Sequence, residues 1–249
     1  MPACSTPAVR ARERGVKILA LDSATAACSV AVWIDGAVAV VERADLPRGQ
    51  AEALLPMVER VRAASGLAFT MFDRLAVTIG PGHFTGLRIG LAAARGLALA
   101  AGRPLVGIST LVAVAAGVPA DEAGSGCLVV ALDSKRAEPY LQAFRAGRPL
   151  GPPVARLVAA YAEELCTADP HAAFVVAGDA GGPMADALRA RGAAVIRAQA
   201  ATRPDAATVA ALAAVAPEPA GFPAPLYVHP VETTSPKRAG PKSAGGARR

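Results

Sequence analysis

Short apolar runs open the chain. Residues 16–22 (VKILALD) and 28–34 (SVAVWID) flank a small polar turn, Ser23 to Ala27, and predict a strand pair, with 37–43 a third strand after Gly36. From 50 to 64 the apolar spacing lengthens: Leu54, Leu55, Val58 and Val61 fall on one helical face, and Pro56 must sit in the first turn or kink the helix. A strand at 73–79, a glycine-rich turn, a helix from about Thr85 to Ala101, a strand at 105–108 and a helix from Ser109 follow. The predicted order is βββαβα.

The pattern then starts again. "ALDS" ends an apolar run at 20–23 and again at 131–134, and Gly36 and Gly147 each stand fourteen residues after the aspartate. A helix near 155–166, a strand at 173–177, the turn "GDAGG" at 178–182 and a helix at 183–191 complete the second copy. Recurrence in register with the element order marks a duplicated unit. A duplicated βββαβα unit predicts an α/β protein of the actin-like ATPase (ASKHA) fold, two ribonuclease-H-like lobes face to face. The expected layout is a disordered extension over 1–15, a first lobe over 16–116 completed by a C-terminal helix about 204–229, a smaller second lobe over 117–203, and a disordered basic tail over 230–249.

Composition fits a globular chain: 249 residues, 53% apolar and 18% charged. The net charge of +6 points to nucleic acid only until it is located. Lys237, Arg238, Lys242, Arg248 and Arg249 against Glu232 give +4 in the tail, and Arg10, Arg12 and Arg14 against Glu13 give +2 at the start, so 16–229 is formally neutral. A neutral body offers no broad phosphate-tracking face. Cys4, Cys28, Cys127 and Cys166 form neither CxxC pairs nor a Cys/His cluster, which fits a reducing cytosol. The basic start followed by "TAAC" imitates a lipoprotein signal, but Lys17 and Asp22 interrupt its apolar region. Arg88, Arg95, Arg103 and Pro104 likewise interrupt 87–117, so no membrane span is expected.

The candidate chemistry sits in "TIGPGHFTGLRIG". Gly80, Gly82 and Gly86 have the spacing GxGxxxG, one residue longer than the dinucleotide fingerprint, and no GK[ST] follows. Glycines at a strand-to-helix turn let backbone N–H groups approach an anion, so Gly80, Gly82, Thr85 and Arg88 are candidate phosphate contacts, with Thr85 as a helix cap. The same glycines also serve a plain tight turn. Within the helix, Gly86, Gly90 and Ala94 form one small-residue row and Ala92, Gly96 and Ala100 a second. Interior glycine costs about 1 kcal/mol relative to alanine, and close approach of another backbone offsets it. That backbone belongs either to the lobe's own sheet or to another subunit.

"ILALDSATAACSVAVW", "EALLPMVERV", "GPGHFTGLRIGLAAARGLALAAGRPLVGIST" and "ALDSKRAEPYLQAF" resemble the TsaB (YeaZ) family in order and spacing, and "PAPLYV" at 223–228 is similar to its closing segment. The resemblance implies a non-catalytic, cytoplasmic subunit of the machinery that forms N6-threonylcarbamoyladenosine beside the anticodon of tRNAs reading codons that begin with A. It implies pairing with the metal-bearing transferase TsaD, a TsaE ATPase in the same system, a homodimer when TsaD is absent, and tRNA contact only through the complex. Leu54, Leu55, Val58, Gly86, Gly90 and Ala94 are the expected partner interface. No catalytic residue, metal ligand or required cofactor is expected, and weak ATP or ADP at the subunit junction is compatible with this reading.

Catalytic relatives carry an HxxxH metal pair at positions that fall here on Thr110 and Val114. The three histidines, His83, His171 and His229, are isolated. His83 replaces the family's usual serine and is expected to be an exposed loop residue; Gln50 stands near a frequent family histidine. Asp22 and Asp133 end strands where ATPase relatives place metal-water ligands, but "DSKRAEPY" lacks the usual clamping glycine, which favours turn-stabilising roles. Two competing readings are an actin-like ATPase or kinase using the glycine turn and Asp22, and a metallopeptidase, for which no metal pair or activated nucleophile is visible. The tail is expected to be solvated rather than to track tRNA.

Overall fold

The computed structural model describes residues 15–124 and 126–228. The extension expected over 1–15, Gly15 apart, and the tail expected over 230–249 lie outside the described residues, as does His229. A first sheet contains β1 (Lys17–Thr25), β2 (Ala27–Ile34), β3 (Ala37–Asp45), β4 (Arg74–Gly80) and β5 (Leu105–Ser109) in the order β3-β2-β1-β4-β5. The first three strands form an antiparallel meander, and β4 and β5 join parallel to β1. The second sheet contains β6 (Cys127–Leu132), β7 (Tyr140–Arg145), β8 (Arg148–Pro149), β9 (Val154–Ala155), β10 (Phe174–Ala177) and β11 (Val195–Arg197). Its order, β11-β10-β6-β7-β8 with β9 on β7, is the first sheet's order read from the opposite edge.

The duplication extends to single dihedral angles. Both hairpins turn on two consecutive positive-φ residues, Asp35 (51°) with Gly36 (92°) and Ala146 (50°) with Gly147 (73°). Paired positive φ is the turn whose twist matches a right-handed hairpin. Gly80 (φ 115°) and Gly178 (φ 98°) occupy matching places at the ends of β4 and β10. Asp22 and Asp133 each accept the N–H two residues on, from Ala24 (3.2 Å) and Lys135 (2.7 Å).

Strand alternation decides which helix covers which face. Leu19 and Leu21 of β1, with Leu75 and Val77 of β4, point to the side covered by α1 (Gln50–Ser65) and α2 (Phe84–Ala101). Ile18, Ala20 and Ala76 point the other way, against Val209, Ala210 and Ala213 of α7 (Ala206–Val215). Left-handed glycines, Gly66 and Gly102, end α1 and α2. Pro56 is the seventh residue of α1 rather than a first-turn residue; it is exposed, so water can take the Glu52 carbonyl that its ring leaves without a donor. Helix α3 (Thr110–Ala116) lies between the lobes, where Leu111 and Val114 join the core of the second sheet; α4 (Ala120–Ala123), α5 (Val158–Ala168) and α6 (Gly181–Arg189) follow.

The C-terminal helix expected about 204–229 is shorter. Only Ala206–Val215 is helical; Pro217, Pro219, Pro223 and Pro225 supply no N–H to continue it. Residues 216–228 run without regular structure back toward the glycine turn.

Candidate functional site

The glycine turn joins β4 to α2, and each of its glycines lies against the chain's own backbone. A side chain at Gly80 would strike the Leu226 carbonyl oxygen, one at Gly82 the Ala24 carbonyl, and one at Gly86 the Ser23 carbonyl. A Cβ at Gly90 would lie 2.6 Å from Ser23 Oγ, which donates to the Gly86 carbonyl at 2.9 Å. The His83 N–H donates to Ala24 O (2.7 Å) and the Leu226 N–H to Ile79 O (2.7 Å). Gly80 and Gly82, two of the expected phosphate contacts, therefore each have a packing role, with a carbonyl oxygen standing where a side chain would go. Thr85 is exposed and caps nothing, since α2 begins at Phe84 with His83 at its N-cap and no side-chain cap. Arg88 turns outward, its guanidinium 3.8 Å above the Phe84 ring and its Nε 3.5 Å from Tyr227 Oη.

The same contacts correct the expected interface. Leu54, Val58, Gly86, Gly90 and Ala94 are buried in the first lobe; of the six residues only Leu55 stands out, 51% exposed. Of the two rows on α2, Gly86, Gly90 and Ala94 face β1. Ala92 lies two residues beyond Gly90, about 200° around the helix, and the row Ala92, Gly96 and Ala100 is exposed. A Cβ at Gly96 would meet nothing within 4 Å. Leu99 extends that face, 74% exposed. Helix α2 has the length and mean hydropathy of a short membrane span, yet it carries Arg88 and Arg95 and seats Leu87, Leu91, Ala94 and Ala98 in the lobe. Its apolar character is thus divided between the core and an uncovered outer face.

A segment absent from the sequence-based site crosses this region. Residues 222–228 pass over α2 and β5: Arg95 Nη2 donates to Pro223 O, Tyr227 stands 5.8 Å from Phe84 between ring centroids, and Val228 reaches the core of the second lobe. Its composition, FPAPLYV, shows neither helical nor strand periodicity, so its apolar content and its likeness to the family's closing segment marked it without saying where it would lie.

Toward the second lobe the site is polar. His83 is half-buried, not an exposed loop residue, and its Nε2 has no partner. Burial and the Lys135 ammonium hold its pKa below the ordinary value, against the opposing pull of Asp133 and Asp179. Asp133 is tied to its own turn: Lys135 N–H and Nζ donate to it, and its N–H donates to Asp179 Oδ1 at 2.8 Å. Asp22 is wholly buried. Its Oδ1 accepts from Thr78 Oγ1 (2.6 Å) and the Ala24 N–H, while Oδ2 has no partner. Burial pushes its pKa up to about 7 despite those two bonds, and Asp205 adds to the rise. Thr110 and Val114 are fully buried, Val114 inside an apolar cluster. Among the described residues no three His, Cys, Asp or Glu side chains group to hold a metal. A cavity of about 400 Å³ remains between the first turns of α1 and α2, lined by Arg48, Gln50, Glu52, His83, Thr85 and Ile89; Gln50 is tied back to Leu46 O at 2.8 Å.

The family profile described as "TsaD: tRNA N6-adenosine threonylcarbamoyltransferase" matches residues 46–169, the span from α1 through the glycine turn into α5. The tRNA threonylcarbamoyladenosine biosynthesis protein TsaB of Escherichia coli is 44% identical over 126 residues, 50% of this chain and 53% of that protein. The chain thus spans about half the length of the curated relatives it matches. A Pseudomonas aeruginosa structure described as similar to the peptidase YeaZ superposes with a TM-score of 0.71 at 27% identity, covering 86% of this chain and all of that one. YeaZ from the same organism superposes at 0.63 with 29% identity, over 79% of this chain and 91% of that one. Two lobes of one strand order, the glycine turn packed on β1, and these relatives agree: in sequence and in fold the chain resembles the TsaB (YeaZ) family.

Proposed function

We propose that this protein is a non-catalytic scaffold subunit in the formation of N6-threonylcarbamoyladenosine on tRNA, pairing with a TsaD-type transferase through the outer face of α2 and the adjoining face of α1. The observation that carries the reading is the division of α2: an apolar helix whose inner row is sealed against β1 and whose outer row, Ala92, Gly96, Leu99 and Ala100, is uncovered, as is Leu55 of α1. Small residues let a second helix approach closely, and burying such a face is the usual basis of a stable interface. The chemistry then lies in the partner. In the absence of that partner the same face pairs two copies of this chain; tRNA and a TsaE-type ATPase meet it only within the assembly, in the cytosol, and any ATP or ADP at the junction binds weakly.

The test is co-elution and calorimetry with a purified TsaD-type protein, with Ala92→Glu and Gly96→Glu as breaking variants. Both side chains enter open space, so the fold is retained while a charge is forced into the interface. No complex with the wild type at micromolar concentration would remove the proposal. Tight ATP–magnesium binding with turnover by the isolated chain would replace it with an ATPase reading.

A further inference from the structure

We infer that the strap 222–228 is part of the partner-docking surface, with Phe222 and Tyr227 as aromatic anchors beside the outer face of α2. The inference rests on the reading above, and its occupant is the same partner, a transferase subunit presenting an apolar helical face.

Three observations carry it. The strap is built into the lobe: the Leu226 N–H bonds to Ile79 O at 2.7 Å, and at Gly107 a Cβ would come within 2.6 Å of Pro223 Cβ, so Gly80 and Gly107 together make its bed. It also disposes of the two charges on α2. Arg95 donates to Pro223 O, and Arg88 is held between the Phe84 ring and the Tyr227 hydroxyl, so neither guanidinium stands free in an otherwise apolar face. An unpaired guanidinium buried against a partner opposes binding; one already placed over an aromatic ring beside a hydroxyl opposes it less. Finally, the strap leaves large apolar side chains uncovered along this face. Phe222 is 51% exposed, one residue before the carbonyl that takes Arg95, and Tyr227 is exposed beside Phe84, itself exposed. Aromatic side chains are enriched in interface cores, and tyrosine is among the residues that most often dominate binding.

The experiment uses the full chain. Wild type, Phe222→Ala, Tyr227→Ala and Val215→Ala are titrated calorimetrically into a purified TsaD-type partner, and backbone hydrogen exchange is followed over 222–228 with and without it. Val215 is the control, exposed on α7 across the sheet from α2. The expected result is binding weakened about tenfold or more by each aromatic truncation, unchanged by Val215→Ala, with slower exchange at 222–228 in the complex. Aromatic variants that bind within about twofold of wild type, an equal loss with Val215→Ala, or unprotected strap amides would overturn this inference and leave the α2 interface standing. A wild type that does not bind overturns both.

Discussion

Replacing Asp22 with asparagine isolates the energetic consequence of a buried carboxyl. Its folded pKa, about 7, lies above the ordinary 3.8, so between those values the native state holds a proton that the unfolded chain releases. Stability therefore falls as pH rises through this window, and the loss is complete above the folded pKa. A gap of about three pH units at about 1.4 kcal/mol per unit gives a total near 4 kcal/mol, of which about 2.5 kcal/mol lies between about pH 5 and pH 8. The asparagine side chain keeps an acceptor for Thr78 Oγ1 and the Ala24 N–H and cannot ionise. Urea unfolding of both proteins across this range, expressed as wild type minus variant, cancels the opposite slope from His83, whose lowered pKa makes acid destabilising. The difference should move in favour of Asp22→Asn by about 2–3 kcal/mol on going from about pH 5 to pH 8. A difference independent of pH would refute the reasoning, because it would mean that Asp22 ionises alike in both states.

The two glycine rows of α2 give opposite expectations: Gly86→Val forces a side chain into the Ser23 carbonyl and should prevent stable folding, seen as lost cooperative unfolding, whereas Gly96→Ala enters open space and should raise stability by about 1 kcal/mol. Arg74→Met removes a guanidinium that donates to Ala213 O (3.0 Å) and Ala216 O (2.8 Å) at the end of α7; chemical denaturation should show a loss of about 1.5–3 kcal/mol. Thiol titration of the native protein should find Cys28 and Cys127 unreactive, since both are buried and burial raises their pKa values, Cys28 to about 11; the partly exposed Cys166 should react ahead of them.

The strands, the helices and the duplication were legible because their signals are local. Alternation in VKILALD and SVAVWID, and a glycine fourteen residues after each aspartate, needed no tertiary information. The choice between the two rows of α2 was also within reach. Leu87, Leu91, Ala94 and Ala98 mark the inward stripe, Gly86 and Gly90 adjoin it, and Ala92, Gly96 and Ala100 lie opposite. Small size alone carries no direction; the large neighbours do. The glycine turn was only half legible, for a different reason. Spacing shows that something comes close to Gly80 and Gly82, but that the carbonyls of Leu226 and Ala24 do so depends on a hairpin fifty-eight residues before Gly82 and a strap beyond residue 220. The prolines after Val215 signalled the end of α7 but not where the following segment would lie.

Helix α3 gives the molecule a stiff waist. Leu111 and Val114 are chain neighbours of the first sheet but pack with Val130, Leu132 and Phe144 of the second, and Val118 follows them. Swinging the halves apart would wet all three aliphatic groups at about 1.5–3 kcal/mol each, a sum comparable to the 5–15 kcal/mol that holds a typical domain together. Opening and unravelling are then nearly the same event. A molecule jointed in this way works as a gauge block, passing on a fixed spacing to whatever seats against it.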